Sequence, residues 1–195
     1  SDLISSEEFM EAFIWARKET KKTLENTGAS HNRMLYCQKI LEYLNKFSAE
    51  LGLAMYDTYW NYFLSHMVLR EGAKEVLEIC HRQKIKVGIC SDLTAHIQHR
   101  KIKKLGISVY INAIVTSEEA GAEKPAPIMF KMILDKLRAE PSKTIFIGDS
   151  WEKDIKGAEQ MGMKTIWLSS KKRTGYRSIT SFEEVRKIIY EYQQN

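Results

Sequence analysis

From Arg70-Glu71-Gly72 onward the chain alternates short apolar runs with amphipathic stretches, and that alternation restricts its fold more than any other feature. Ile85–Cys90, Ala113–Thr116, Thr144–Ile147 and Lys164–Leu168 read as strands. Helices are predicted around Lys74–His81, over Ala95–Leu105 with Gly106 closing it, over Pro127–Leu137, and from about Glu152 to Met161. Ser181-x-x-Glu184 opens a last helix that runs to about Tyr192. Strands separated by helices need long crossovers, which pair them in parallel and cover both faces of the sheet. The prediction is an α/β protein with a right-handed, doubly wound parallel sheet.

The first 70 residues are different. They hold two glycines and no proline, a helical composition. Ser5-x-x-Glu8 is a capping box, and Phe9, Phe13 and Leu24 supply an apolar stripe behind it. Asn26-Thr27-Gly28 ends that helix, and Ser30 is placed to cap the next. Met34, Cys37, Leu41, Leu44 and Leu51 repeat at helical steps as far as Gly52, and Tyr56, Tyr59, Trp60, Phe63 and Leu64 mark a third segment. The expected division is a helical lobe over 1–70 and an α/β core over 71–195.

With 195 residues, 44% hydrophobic and 28% charged, the chain suits a globular core plus a modest second lobe. No run approaches the ~20 apolar residues of a membrane span, so no membrane partner is expected. Cys37, Cys80 and Cys90 form no CxxC pair and sit among apolar residues, which predicts buried thiols in a reducing, cytoplasmic setting. The net charge of +5 is uneven, −1 over residues 1–70 and +6 over 71–195. Arg100-Lys101-Lys103-Lys104 and Lys171-Lys172-Arg173 lack the interleaved aromatics that stack bases. These runs read as solvated faces that attract phosphate in general, and no nucleic-acid partner is expected.

Chemistry in an open α/β sheet gathers outside the carboxyl ends of the strands. Three such ends carry polar groups here. Cys90-Ser91-Asp92 offers a hydroxyl able to donate to a phosphoryl or carboxylate oxygen, although Ser and Asp are also ordinary helix caps. Glu123-Lys124-Pro125 holds a lysine in a proline-restricted loop, where the simpler alternative is a surface lysine ahead of a helix. Gly148-Asp149-Ser150-Trp151-Glu152-Lys153-Asp154 places two acids at a helix mouth. Hard carboxylate oxygens beside a phosphate suit Mg²⁺, whereas acids there can also simply favour the helix N-terminus.

Taken in order, strand–Ser91, loop Lys124 and strand–Gly148-Asp149-Ser150-x-x-x-Asp154 resemble motifs II, III and IV of the haloacid dehalogenase-like (HAD) superfamily. Thr116-Ser117-Glu118-Glu119 and Gly157-Ala158-Glu159-Gln160-Met161-Gly162 extend the likeness, and the helical lobe resembles the α-helical cap inserted between motifs I and II. The resemblance covers nearly the whole chain and points to the branch of small-phosphate-ester phosphatases and nucleotidases. It implies a Rossmann-like core, a small phosphomonoester as substrate, and Mg²⁺ as cofactor. It also implies catalytic roles for Ser91 and Lys124, substrate contacts from Ser91, Asp92 and Lys124, and metal binding by Asp149 with Asp154. Asp92 departs from the asparagine that many members carry.

The family's nucleophile, an aspartate in Asp-x-Asp-x-Thr after a first strand, has no counterpart here; Ser1-Asp2-Leu3-Ile4-Ser5 aligns with the tail of that motif. The resemblance places that strand between those ending at Ser91 and Gly148. The expectation is therefore a central strand preceding residue 1 in the natural protein. Direct pairing of the two flanking strands would refute it. Two other readings stay open: a non-catalytic binding or regulatory relative, and a dehalogenase, against which the Asp149 arrangement counts. Substrate choice should lie in the cap, where Tyr56, Tyr59, Trp60 and Phe63 line either a pocket or the core. His31 and His66 support no assignment, and oligomeric state is not legible.

Overall fold

The computed structural model describes residues 4–25 and 27–193. Among the described residues five strands form two parallel ladders. In one, β1 (Gly88–Ser91) pairs β2 (Ala113–Thr116), with Ser91 opposite Thr116. In the other, β3 (Ile145–Gly148) pairs β4 (Lys164–Leu168), which pairs β5 (Ser178–Ile179). Among the described residues β1 and β3 do not pair, so the direct contact that would have refuted an intervening strand is absent.

Helices cover both faces. Val76, Ile79 and Cys80 of α4 (Ala73–Arg82) pack with Val185, Ile188 and Ile189 of α9 (Glu183–Gln193) over Val87, Ile145, Ile147 and Ile166. On the other face, Met129, Phe130, Ile133 and Leu134 of α7 (Pro127–Leu137) pack with Ala158 of α8 (Gly157–Gln160) over Cys90, Val115 and Phe146. Phe146 lies between Ile145 and Ile147 and joins the opposite cluster, as the period-two alternation of a strand requires. The cluster under α7 draws on both ladders and Val87, the residue before β1, joins the other, so the ladders lie in one layer and the core is α/β and doubly wound.

The helical cap comprises α1 (Ser6–Thr23), α2 (Arg33–Tyr43) and α3 (Ala49–Ser65). Both halves of the Ser5–Glu8 capping box form. Ala12 and Ala16 meet Ile40, with Phe13, Leu44 and Met55 around them. Trp60 of α3 is 3% exposed and packs on Leu93 and Ile97, the latter on α5 (Ala95–Leu105), so it belongs to the cap–core seam. Tyr59 and Phe63, 40% and 39% exposed, remain at the surface of that seam.

Three local expectations are corrected. The second helix does not run to Gly52: it stops at Tyr43, Asn45 turns left-handed at φ 52°, and Ser48 caps α3 by accepting from the Leu51 N–H. Asn32 caps α2, because the Ser30 hydroxyl is committed elsewhere. β1 starts at Gly88 rather than Ile85, since the Ile85 amide closes the α4 C-terminus on the Cys80 carbonyl. The two-residue β5 had no sequence signal.

Candidate active site

Asp92 is not a helix cap. Thr94 occupies the cap position of α5 without a side-chain hydrogen bond, and Glu118 of α6 (Ser117–Ala120) accepts from the Ala95 N–H at 2.7 Å instead. Both Asp92 oxygens are thereby left for longer-range partners. Oδ1 accepts from the Lys124 backbone N–H and Oδ2 from the Lys153 ammonium, each at 2.9 Å.

Lys124 is not a surface lysine. Its peptide to Pro125 is cis, and its ammonium lies 2.7 Å from Asp154 Oδ1, with the two side chains 12% and 6% exposed. Asp154 Oδ2 accepts from the Ser150 N–H at 2.9 Å, so both its oxygens are used. Residues Trp151–Lys156 are wound as a π-helical turn, with the Ser150 hydroxyl accepting from the Lys153 N–H. Glycine at 148 is what lets Asp154 turn inward: a Cβ there would lie 2.3 Å from Asp154 Cβ.

Asp149 is exposed, and its carboxylate meets no described hydrogen-bond or ion-pair partner; only its carbonyl is engaged, by Trp167 Nε1 at 3.0 Å. Ser91 Oγ likewise makes no hydrogen bond to a described residue. Bonds therefore join Asp92, Lys124 and Asp154 directly, while Ser91 and Asp149 stand at the ends of β1 and β3 with side chains that bond to no described residue. No three His, Cys, Asp or Glu side chains converge as a cation cage among the described residues. Mg²⁺ needs only one or two carboxylates and keeps water or substrate oxygens in its remaining positions. Asp149 fits that demand directly. Asp154 fits it only through a bridging water, because Lys124 and the Ser150 N–H already occupy its two oxygens.

Sequence reasoning missed Glu123 and Lys153, although both stand beside motif residues. Lys153 lies 2.9 Å from Glu123 Oε2 as well as from Asp92. The other Glu123 oxygen receives the Ser30 hydroxyl and lies 3.4 Å from His31 Nε2, both in the cap loop. Burial works to raise the Glu123 carboxyl, but the Ser30 and Lys153 hydrogen bonds and the His31 charge hold it below its ordinary value. Burial also works to lower Lys153, and its two carboxylates outweigh that and raise it. His31 moves down, chiefly through burial. A cleft of about 340 Å³ opens over this network, with Lys21 and Lys22 of α1 on its cap side and Lys153 on its core side. Beside it the two lobes touch closely: Thr27 bridges to Ala122, and the Ser117 hydroxyl donates to the Gly28 carbonyl.

The family model for haloacid dehalogenase-like hydrolases matches residues 5–168. Over 162 residues the chain is 40% identical to a ribulose-1,5-bisphosphate 5-phosphatase of Halopiger xanaduensis, covering 82% of this chain and 67% of that protein. It is 32% identical over 130 residues to a glyceraldehyde 3-phosphate phosphatase of Pyrococcus furiosus, covering 66% of this chain and 52% of that one. The match thus spans between half and two-thirds of these relatives' own lengths. A HAD phosphatase from Thermococcus onnurineus superposes with a TM-score of 0.64 at 20% identity, covering 94% and 91% of the two chains, a likeness of fold.

Proposed function

Because the chain belongs to the haloacid dehalogenase-like hydrolase family, we propose that its function is the hydrolysis of small phosphomonoesters. The observation that carries this reading is the joining of Asp92, Lys124 and Asp154 at the strand ends, with Ser91 and Asp149 unengaged on either side. That arrangement offers a hydroxyl donor, a fixed cation and an open carboxylate to one phosphate. The relatives' names, all phosphatases among those compared above, support the same class.

In this reading Ser91 Oγ donates to a phosphoryl oxygen, and the Lys124 ammonium stabilises charge on the phosphate and on the attacking carboxylate. Asp154 fixes that ammonium, and Asp92 fixes the Lys124 backbone. The family's attacking aspartate has no counterpart among residues 1–195. Its carboxylate forms a bond to phosphorus as the ester oxygen leaves with a proton; water then breaks the acyl-phosphate bond and releases phosphate. Asp149 would hold Mg²⁺, with Asp154 reaching it through a bridging water, and the ion would supply charge neutralisation at the phosphate. Three unpaired thiols fit a reducing, cytoplasmic location, and none of the described helices is long and apolar enough to cross a membrane.

The test is p-nitrophenyl phosphate hydrolysis by the protein with its native N-terminal segment, with and without Mg²⁺. Turnover that needs Mg²⁺ and is lost in Asp149→Asn is the expected result. Absence of turnover on several phosphate esters would sink the reading and leave a non-catalytic binding role.

A further inference from the structure

In the basic run Arg100-Lys101-Lys103-Lys104, Lys101 turns inward, and burial pushes its ammonium below the usual lysine range. It follows Ile97 by four residues on α5, which puts it on the helix face that meets α3. Its Nζ lies 5.2 Å from the Phe63 ring centre and 5.7 Å from that of Trp60. Lys124 and Lys153, the lysines of the site, both end on carboxylates. Lys101 has no hydrogen bond or ion pair to any described residue.

A second unneutralised cation faces the same aromatic cluster from the cap. Arg33, in the first turn of α2, lies 5.0 Å from the Tyr36 ring centre and 5.9 Å from that of Tyr59, which in turn stacks on Phe63. Its guanidinium donates to the His31 carbonyl at 3.0 Å and meets no carboxylate among the described residues. Its charge is near enough to add to the depression of Lys101. Neighbouring Arg100 finds only the neutral Asn61 amide oxygen, at 2.7 Å.

Ring faces offset part of the desolvation of a cation, but they place no negative charge between two cations that repel. We propose that Arg33 of the cap and Lys101 of the core form an anion-binding subsite at the α3–α5 seam, taking a carboxylate or phosphate group. Arginine supplies a planar fork for two oxygens and lysine a point charge, and the stacked rings of Tyr59 and Phe63 link the two at the surface of the seam. The group is either a second anionic end of the substrate or a free anion. Binding is readable without turnover, so the subsite stands or falls apart from the hydrolytic reading.

The experiment is calorimetric titration of the full-length protein with inorganic phosphate at low salt, in the wild type, Lys101→Met, Arg33→Gln and Lys124→Ala. Two binding steps are expected in the wild type. Lys101→Met and Arg33→Gln each weaken one step about tenfold, and Lys124→Ala weakens the other. Lys101→Met keeps the stem that packs on Phe63; should either variant fail to fold by circular dichroism, the other carries the comparison. An unchanged phosphate isotherm in the folded variants overturns the proposal and leaves two cations held by ring faces alone. Competition against p-nitrophenyl phosphate separates the sources. If Lys101→Met weakens inhibition by a bisphosphate more than by a monophosphate, the subsite holds the substrate's second group; equal inhibition with a lost phosphate step assigns it to a free anion.

Discussion

The Lys153 ammonium lies 2.9 Å from Glu123 Oε2, and through that contact the cap and the strand-end site share one hydrogen-bonded chain. Glu123 reaches up to Ser30 and His31, while Lys153 reaches across to Asp92, whose other oxygen holds the backbone of Lys124. Glu123→Gln keeps the shape and removes the charge. It should lower stability by about 1–3 kcal/mol, the range for leaving a half-buried charged partner under-satisfied. Urea denaturation measures this, and a midpoint equal to the wild type's would show that the cap loop is held by other contacts.

Two glycines of the cap predict opposite signs. A Cβ on Gly28 would sit 2.0 Å from the Ser117 carbonyl oxygen, a backbone atom that cannot step aside. Gly28→Ala should therefore cost about 1–3 kcal/mol by forcing the lobes apart. Gly52 lies inside α3, where an added Cβ would meet Leu41 and Met34 side chains at 3.6 Å, ordinary contact. Gly52→Ala should stabilise by about 0.5–1 kcal/mol through helix propensity. Thermal melts of the pair check both directions.

Gly148→Ala attacks the site without changing a charged residue. The new methyl would occupy the place of the Asp154 side chain and push it off Lys124. Turnover should fall about 10²-fold, the usual loss from misplacing a positioned group by roughly 1 Å. Steady-state kinetics decides, and retained turnover would mean that the Lys124–Asp154 pair is not needed in this geometry.

Acid should release the cap in two stages. His31 sits below its ordinary 6.5, so as pH falls past that value the unfolded chain takes up the proton first and stability declines. Glu123 is held below its ordinary 4.5, so its contribution is full above that pH and is lost as pH falls through the lower folded value. Melting temperature against pH should show the upper decline reduced in His31→Asn and the lower one reduced in Glu123→Gln. Identical profiles in wild type and variants would contradict this assignment.

The doubly wound plan was legible because a strand that stops in polar residues is a local pattern, which also put Ser91, Asp149 and Asp154 forward as candidates, while Lys124 came forward from its proline-restricted loop. What stayed hidden depends on residues far apart in sequence. Ser30 looks like a helix cap until Glu123 claims its hydroxyl, and Asp92 looks like another until Lys124 and Lys153 claim its oxygens. The break after Tyr43 was masked by an apolar repeat that continues across it, since Asn45 carries no stronger signal than any asparagine. Trp60 and Phe63 share one helix and one aromatic pattern, yet only packing against Leu93 and Ile97 separates the buried ring from the exposed one.

The bonds that build the site span long stretches of chain: 30 residues from Lys124 to Asp154, 61 from Asp92 to Lys153, and 93 from Ser30 to Glu123. Each such closure costs entropy before it returns any energy, so contacts of this kind form late in folding. The helices and single crossovers can assemble first, whereas the links from Ser30 and His31 to Glu123 close only once cap and core have docked. Docking of the lobes is therefore the step that completes this network, and a nascent chain whose lobes have not met holds the Lys124–Asp154 pair without the cap loop above it.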